Sequence, residues 1–335
     1  MKKLRNTDIQ LFRGLAIIAV VFNHSCSNST VFSDYGQSLV NFAVPLFIFL
    51  SGYLTKLHYD NYFEFCKKRV LRVFIPYVVW SLLYCMCSYD DLQLSRVIMY
   101  ILTGKACFPF YYIIVYIQFV LFTKWISKFV KSKYSIIGFI VTPLYFLCFR
   151  YLPLVAGQSV HPILSELLGI SILPWFTFYY LGLYLRNKLE LVGVKSLLFL
   201  WLIISISLQL LESVLLKIMG HPEMCGSGSN ISSFFTSLCM CFVCVNFINK
   251  VYSKRIPAFL SETLVIIGNC SFGIYLIHIL IRDSIRFTSQ FVQKNEFIPL
   301  FIEGLIVLIV LIVSTFMVLG LKKSLPEKIN NIIGF

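Results

Sequence analysis

Two residues of the first apolar stretch, DIQLFRGLAIIAVVFNH, carry chemistry that lipid has no use for: Arg13 towards one end and His24 at the other. Eleven helical steps turn a chain by about 1100°, roughly 20° past three full turns, and climb about 16 Å. The two side chains therefore share one face at two depths. Ionisable residues in membrane spans face a bundle interior or a water-filled cavity, so this pair suggests a channel entered beside Arg13 and ending near His24. Plainer readings stand beside it: a lone arginine snorkels to headgroups, and a lone histidine sits satisfied in a core or at the interface. Further on, FCKKRVLRVFIPYVVW sets Arg69 and Arg72 three apart on one helix face. Guanidinium forks pair with phosphate oxygens in bidentate fashion, and the same basic turn also suits headgroup contact. A late stretch, NCSFGIYLIHILIR, places Ser271, Tyr275, His278 and Arg282 at i, i+4, i+7 and i+11. That is one polar stripe on a helix, and it should face protein or water rather than lipid.

The elements that must hold these residues are apolar runs near the ~20 residues a helix needs to cross a bilayer. Ten are legible, at 9–27, 36–57, 70–89, 108–127, 134–151, 166–185, 196–219, 231–249, 263–281 and 298–321. The composition agrees: 58% hydrophobic, 13% charged, with a mean hydropathy of +0.82. The expected fold is all-α, a polytopic helical membrane protein of about ten transmembrane helices forming one membrane domain over 1–335. Pro143 and Pro174 interrupt the fifth and sixth runs, which membrane helices tolerate, and 91–104 suits a short interfacial helix. In the second run, Pro45 and the triplet Ser51-Gly52-Tyr53 break an aromatic stretch, and glycine there permits close helix approach or a kink. Most of the 29 basic residues fall in alternate loops, which sets both termini in the cytoplasm by the positive-inside rule.

The net charge of +14 is accounted for by those loops. With no aromatic-basic platform and no zinc-finger spacing, nucleic acid is not an expected partner; the lipid bilayer is. The amino-terminal run lacks a small-x-small cleavage site and is followed by further spans, so a cleaved signal peptide is not expected. Eleven cysteines, mostly inside apolar runs, do not read as a disulfide framework. Cys239, Cys241 and Cys244 read as packing residues. The five histidines, His24, His58, His161, His221 and His278, form no metal-ligand pair in sequence, so no metal is expected. Asp8 suits either an arginine partner or a helix cap. Glu212 and Glu303 suit interfacial carboxylates, partners for a histidine, or acceptor contacts.

In these residues the chain resembles the acyltransferase 3 family of integral-membrane acyltransferases. The resemblance is carried by Arg13-x10-His24, VPLFIFLSGY at 44–53, Arg69-x-x-Arg72 followed by PYVVW at 76–80, and SFGIYLIH at 271–278. These occur in the family's order at both ends of the chain, while the middle, roughly 100–260, adds little. The resemblance implies acyl transfer, most often of acetyl, from cytoplasmic acyl-CoA to a hydroxyl of an extracytoplasmic or lipid-linked carbohydrate, in the cytoplasmic membrane. Acyl-CoA is then a co-substrate and not a resident cofactor. Some relatives add an extracytoplasmic hydrolase-like domain, which is not expected here. Carried over residue by residue, His24 and Arg13 are catalytic candidates, and Arg13, Arg69 and Arg72 are donor-binding candidates. Tyr275, His278, Ser271 and Tyr53 are candidate substrate or oxyanion contacts. A histidine acts either as general base or as a transient acyl acceptor; the former needs fewer steps. A transporter or flippase of lipid-linked sugars is the rival reading. Acceptor glycan, acyl group and oligomeric state are not legible.

Overall fold

The computed structural model describes residues 2–26, 35–55, 59–88, 93–158, 161–186, 195–250, 256–289 and 298–335. His58, Lys254 and Arg255 lie outside the described residues, as do the edges of several apolar runs. The described residues are predominantly helical and contain no strand. The principal helices are α1 (Lys2–Ser25), α2 (Ala43–Leu54), α3 (Tyr62–Ser88), α4 (Tyr111–Val130) and α5 (Phe176–Leu185). They continue with α6 (Lys195–Ile218), α7 (Ile231–Lys250), α8 (Ala258–Asn269), α9 (Ser271–Ser289) and α10 (Ile298–Ser324).

Six helical stretches among the described residues are long and apolar enough to cross a membrane, and up to eight if two bent pairs each count as one span. The ten runs expected from sequence therefore do not all become straight spans. The sixth bends by 44° between Pro162–Gly169 and Leu173–Leu185. Pro174 sits in the 3-10 turn at the break, where its missing N–H interrupts the ladder. The ninth bends by 79° between α8 and α9, with Gly268 and Ser271 flanking the break. The fifth breaks into short pieces, a 3-10 turn at Ser135–Phe139, a helix at Val141–Phe146 carrying Pro143, and a π turn at Leu147–Tyr151. Within 91–104 a short helix forms at Leu94–Thr103 and ends in a left-handed Gly104. Large apolar side chains stay exposed along α6 and α10, among them Phe199, Trp201, Leu211, Leu308 and Phe316. With every backbone group satisfied inside a helix, such surfaces face lipid.

The chain forms two compact units. One comprises Met1–Leu50 and Lys188–Gly320. Its centre is the packing of α1 along α8 and then α9. Glycine makes that approach possible: a Cβ at Gly14 would lie 2.1 Å from the Leu264 carbonyl oxygen, and one at Gly268 would lie 1.9 Å from that of Gln10. Each glycine thus seats the backbone of the facing helix, the small-residue contact common in membrane bundles. In the same unit α6 pairs with α7, tied by Glu212, which accepts from the Ser232 N–H at 3.1 Å and from its hydroxyl. Cys241 and Cys244 are buried in α7, and all eleven cysteines are free thiols.

The other unit comprises Ser51–Asn187 and Leu321–Phe335. Gly52 lets the end of α2 touch α5, since a Cβ there would meet the Tyr179 carbonyl oxygen at 2.3 Å. Tyr179 is fully buried, stacks on Phe119 at 4.5 Å, and shares a 2.6 Å hydrogen bond with the Thr123 hydroxyl. The closing helix Glu327–Ile333 packs on α3, where Trp80 Nε1 donates to the Ile333 carbonyl at 2.9 Å.

Candidate active site

His24 occupies the last turn of α1, one residue before the helix ends at Ser25. Arg13 lies on the same unbroken helix, so the face shared by Arg13 and His24 is present as the spacing requires. Asp8 is also inside α1 and buried. The helix begins at Lys2, so the cap reading of Asp8 is corrected: a cap must flank the first turn.

The late stripe forms on α9. Ser271, Tyr275 and His278 are all buried, His278 completely. The α1–α8–α9 packing brings this stripe to the end of α1. The His24 and His278 rings lie 5.5 Å apart between centroids, tilted by 39°. Arg282, one turn beyond His278, donates from Nη1 to the His24 carbonyl oxygen at 2.9 Å. Its Nε and Nη2 bind Asp283 at 2.8 and 2.6 Å. Arg282 therefore holds the carbonyl end of α1, the end at which a cation is favoured by the helix dipole.

The tautomer of His278 follows from its partners. Its Nδ1 lies 2.8 Å from the Tyr275 carbonyl oxygen and 3.1 Å from that of Ile274. Carbonyl oxygens only accept, so Nδ1 carries the proton and Nε2 of the neutral ring is an acceptor. That Nε2 is buried and has no hydrogen-bond partner among the described residues. The Ser271 hydroxyl, also on α9, is likewise buried and unpartnered among them. Tyr275 packs beside His278, with ring centroids 6.2 Å apart. The result is a pair of imidazoles, one with a fixed tautomer and an open lone pair. Such a pair can take up and hand on a proton.

The remaining candidates lie in the other unit. Tyr53 is buried near the end of α2. Arg69 and Arg72 differ although they share a helix face: Arg69 is half-buried and donates to the Thr55 hydroxyl at 2.5 Å, whereas Arg72 is exposed. Arg69 also lies over the Phe65 ring at 5.0 Å. Arg186, at the end of α5, donates to the Thr55 carbonyl. Thr55 and Arg186 are not singled out by sequence reasoning. Gly14 and Gly268 were also missed, although glycines inside apolar helical runs were a signal open to reading.

The family profile described as "Acyltransferase domain" matches residues 6–320. The chain belongs to the acyltransferase 3 family. Relatives from Staphylococcus aureus strains MSSA476 and MW2 are 25% identical over 332 residues, covering 92% of this chain and 91% of theirs. A relative from Staphylococcus epidermidis is 27% identical over 302 residues, covering 84% of this chain and 79% of its own. Each of these three is named as a "Probable poly-beta-1,6-N-acetyl-D-glucosamine export protein". No solved structure matches the chain. The His24–His278 pair is thus set in a multi-pass membrane member of the acyltransferase 3 family, related to polysaccharide export proteins.

Proposed function

We propose that this acyltransferase 3 protein moves an acyl group, acetyl or succinyl, from cytoplasmic acyl-CoA to a hydroxyl of an extracytoplasmic or lipid-linked polysaccharide at the cytoplasmic membrane. The observation that carries this reading is the pairing of the partly exposed His24 with the buried His278 at the end of α1. In the reaction, the acceptor hydroxyl gives its proton to His24 while its oxygen attacks the thioester carbon. The carbon–sulfur bond breaks, an ester forms, and the histidine returns the proton to the departing thiolate. General-base action of this kind needs both substrates in hydrogen-bond reach at once. His278 supports it by packing its neutral ring, with the Nε2 lone pair open, beside the His24 ring, and Arg282 by fixing the backbone that carries His24. Ser271 and Tyr275 supply hydroxyl donors suited to the oxyanion. Arg13, three turns along α1, supplies a guanidinium group suited to the donor's phosphates.

The relatives' printed name favours a second reading, export of a poly-N-acetylglucosamine or a lipid-linked sugar without acyl transfer. Radiolabelled acetyl-CoA offered to purified protein in vesicles, together with a labelled oligosaccharide, separates the two. Label joined to the glycan supports the acyltransferase. Glycan crossing the bilayer with no label joined supports the exporter.

A further inference from the structure

The unit that holds His24 also holds buried polar atoms that the proposed reaction leaves unused. The Asn23 side-chain oxygen on α1, both amide atoms of Gln209 on α6, and the Ser233 and Ser237 hydroxyls on α7 have no hydrogen-bond partner among the described residues. Gln209, Ser233 and Ser237 are each only 1% exposed, so none of them turns to lipid or to bulk water.

Their depth follows from the chain. Consecutive spans turn back at the same face of the bilayer, so α1 ends, at His24, on the face where the span Gln37–Leu54 begins. Near that beginning Ser38 shares a hydrogen bond with Ser213 at 3.4 Å, and Asn41 donates to the Gly226 carbonyl at 2.7 Å. These bonds put the turn between α6 and α7 on that face too. Deeper in, α1 meets α7 through the Phe12 and Phe247 rings, 5.5 Å apart. From this contact His24 is twelve residues away along α1, about 18 Å. Ser237 and Ser233 are ten and fourteen residues away along α7, about 15 and 21 Å. The two hydroxyls thus bracket His24 in depth. Gln209 lies on the α6 face that meets α7, one turn from Glu212, which holds Ser232.

A serine or threonine inside a helix ordinarily folds its hydroxyl back on the carbonyl one turn earlier. Thr236 does so, donating to the Ser232 carbonyl at 3.1 Å, whereas Ser233 and Ser237 do not. Lipid offers such groups no partner, and a buried polar group is otherwise met by water or a ligand. The four residues are uncharged, and each hydroxyl or amide both donates and accepts. A phosphate, carboxylate or ammonium finds no counter-charge among them. A sugar ring, whose hydroxyls also donate and accept, is complementary to all four. We infer that Gln209, Ser233 and Ser237, with Asn23, form the subsite that holds an uncharged sugar residue of the acceptor glycan at the depth of His24. This rests on the acyltransferase reading above, and the test separates the two.

The experiment uses the full chain purified in detergent and a β-1,6-linked N-acetylglucosamine oligosaccharide as the probe. Binding is measured by calorimetry without acetyl-CoA, and label transfer is measured separately. Gln209→Met, which keeps the length of the side chain and removes its amide, is expected to weaken oligosaccharide binding by about tenfold. The acceptor KM should rise by a similar factor while the KM for acetyl-CoA holds. Melting temperature should not fall, since the lost amide bonds to no described residue. Ser233→Ala combined with Ser237→Ala is expected to weaken binding several-fold, and decides the matter should Gln209→Met fail to fold. Binding by the parent protein should be the same at low and high salt, because no charge is paired. Unchanged oligosaccharide affinity in both variants overturns the subsite, as does an absence of binding by the parent. A lower melting temperature with equal losses of oligosaccharide and acetyl-CoA affinity overturns it as well, because the polar groups then hold the helices through bound water. Oligosaccharide binding that depends on Gln209, with no label transferred by the parent, supports the subsite and overturns the acyltransferase reading instead.

Discussion

Gly268→Ala is the sharpest test of how the site is positioned. The new Cβ would stand 1.9 Å from the Gln10 carbonyl oxygen and 3.0 Å from the Gly14 nitrogen. Both are backbone atoms of α1, so no side chain can swing aside. Restoring even a tight carbon–oxygen contact requires α1 and α8 to part by roughly 1 Å, and overpacking of this kind costs about 1–3 kcal/mol. The displacement is not confined to the contact, because α8 leads through the 79° bend into α9, which carries His278 and Arg282. His24 rides on α1, so the pair at 5.5 Å is shifted by a similar amount. A misplacement of about 1 Å at reacting groups lowers a rate by about 100-fold. Thermal unfolding of the detergent-purified variant reads the first effect, independently of any assumed reaction, and label transfer from acetyl-CoA reads the second. A Gly268→Ala protein with unaltered melting and full transfer would refute the α1–α8 packing as the device that places His24.

Other substitutions address single links. Arg282→Ala removes the donor on the His24 carbonyl, with an expected stability loss of about 1 kcal/mol; kcat should fall while KM for the donor holds, and a KM change alone would contradict the positioning role. Tyr179→Phe deletes a hydroxyl bonded to Thr123 and should cost about 1 kcal/mol in unfolding measurements, against no loss if that hydrogen bond is absent. His278→Ala keeps little but the backbone at that position, and initial rates of label transfer should drop by about 100-fold or more; a rate within twofold of the parent would remove His278 from the site.

Much of this arrangement was legible in the sequence, for definite reasons. Helical spacing alone joins Arg13 to His24 and Ser271 to Tyr275, His278 and Arg282, because neighbours on a helix face are fixed by 3.6 residues per turn. The meeting of His24 with His278 was not legible. It depends on Gly14 and Gly268 facing each other across two helices far apart in the chain, and a single sequence does not register one helix against another. Arg186 reaches Thr55 across 131 residues, so nothing local in the sequence singles it out. The fifth apolar run had a span's composition, yet Pro143 and the turns around it divide it. Hydropathy measures solvent preference and not straightness, which is also why the 79° bend between α8 and α9 left no mark on it.

The central claim is that the imidazole of His24 carries out acyl transfer, and it is tested most directly by one rate. Protein purified as the full chain, with His24→Ala compared at equal melting temperature, is given radiolabelled acetyl-CoA and a β-1,6-linked N-acetylglucosamine oligosaccharide. The account predicts label on the glycan with the parent protein and none above background with His24→Ala. Equal labelling by the two proteins would contradict it.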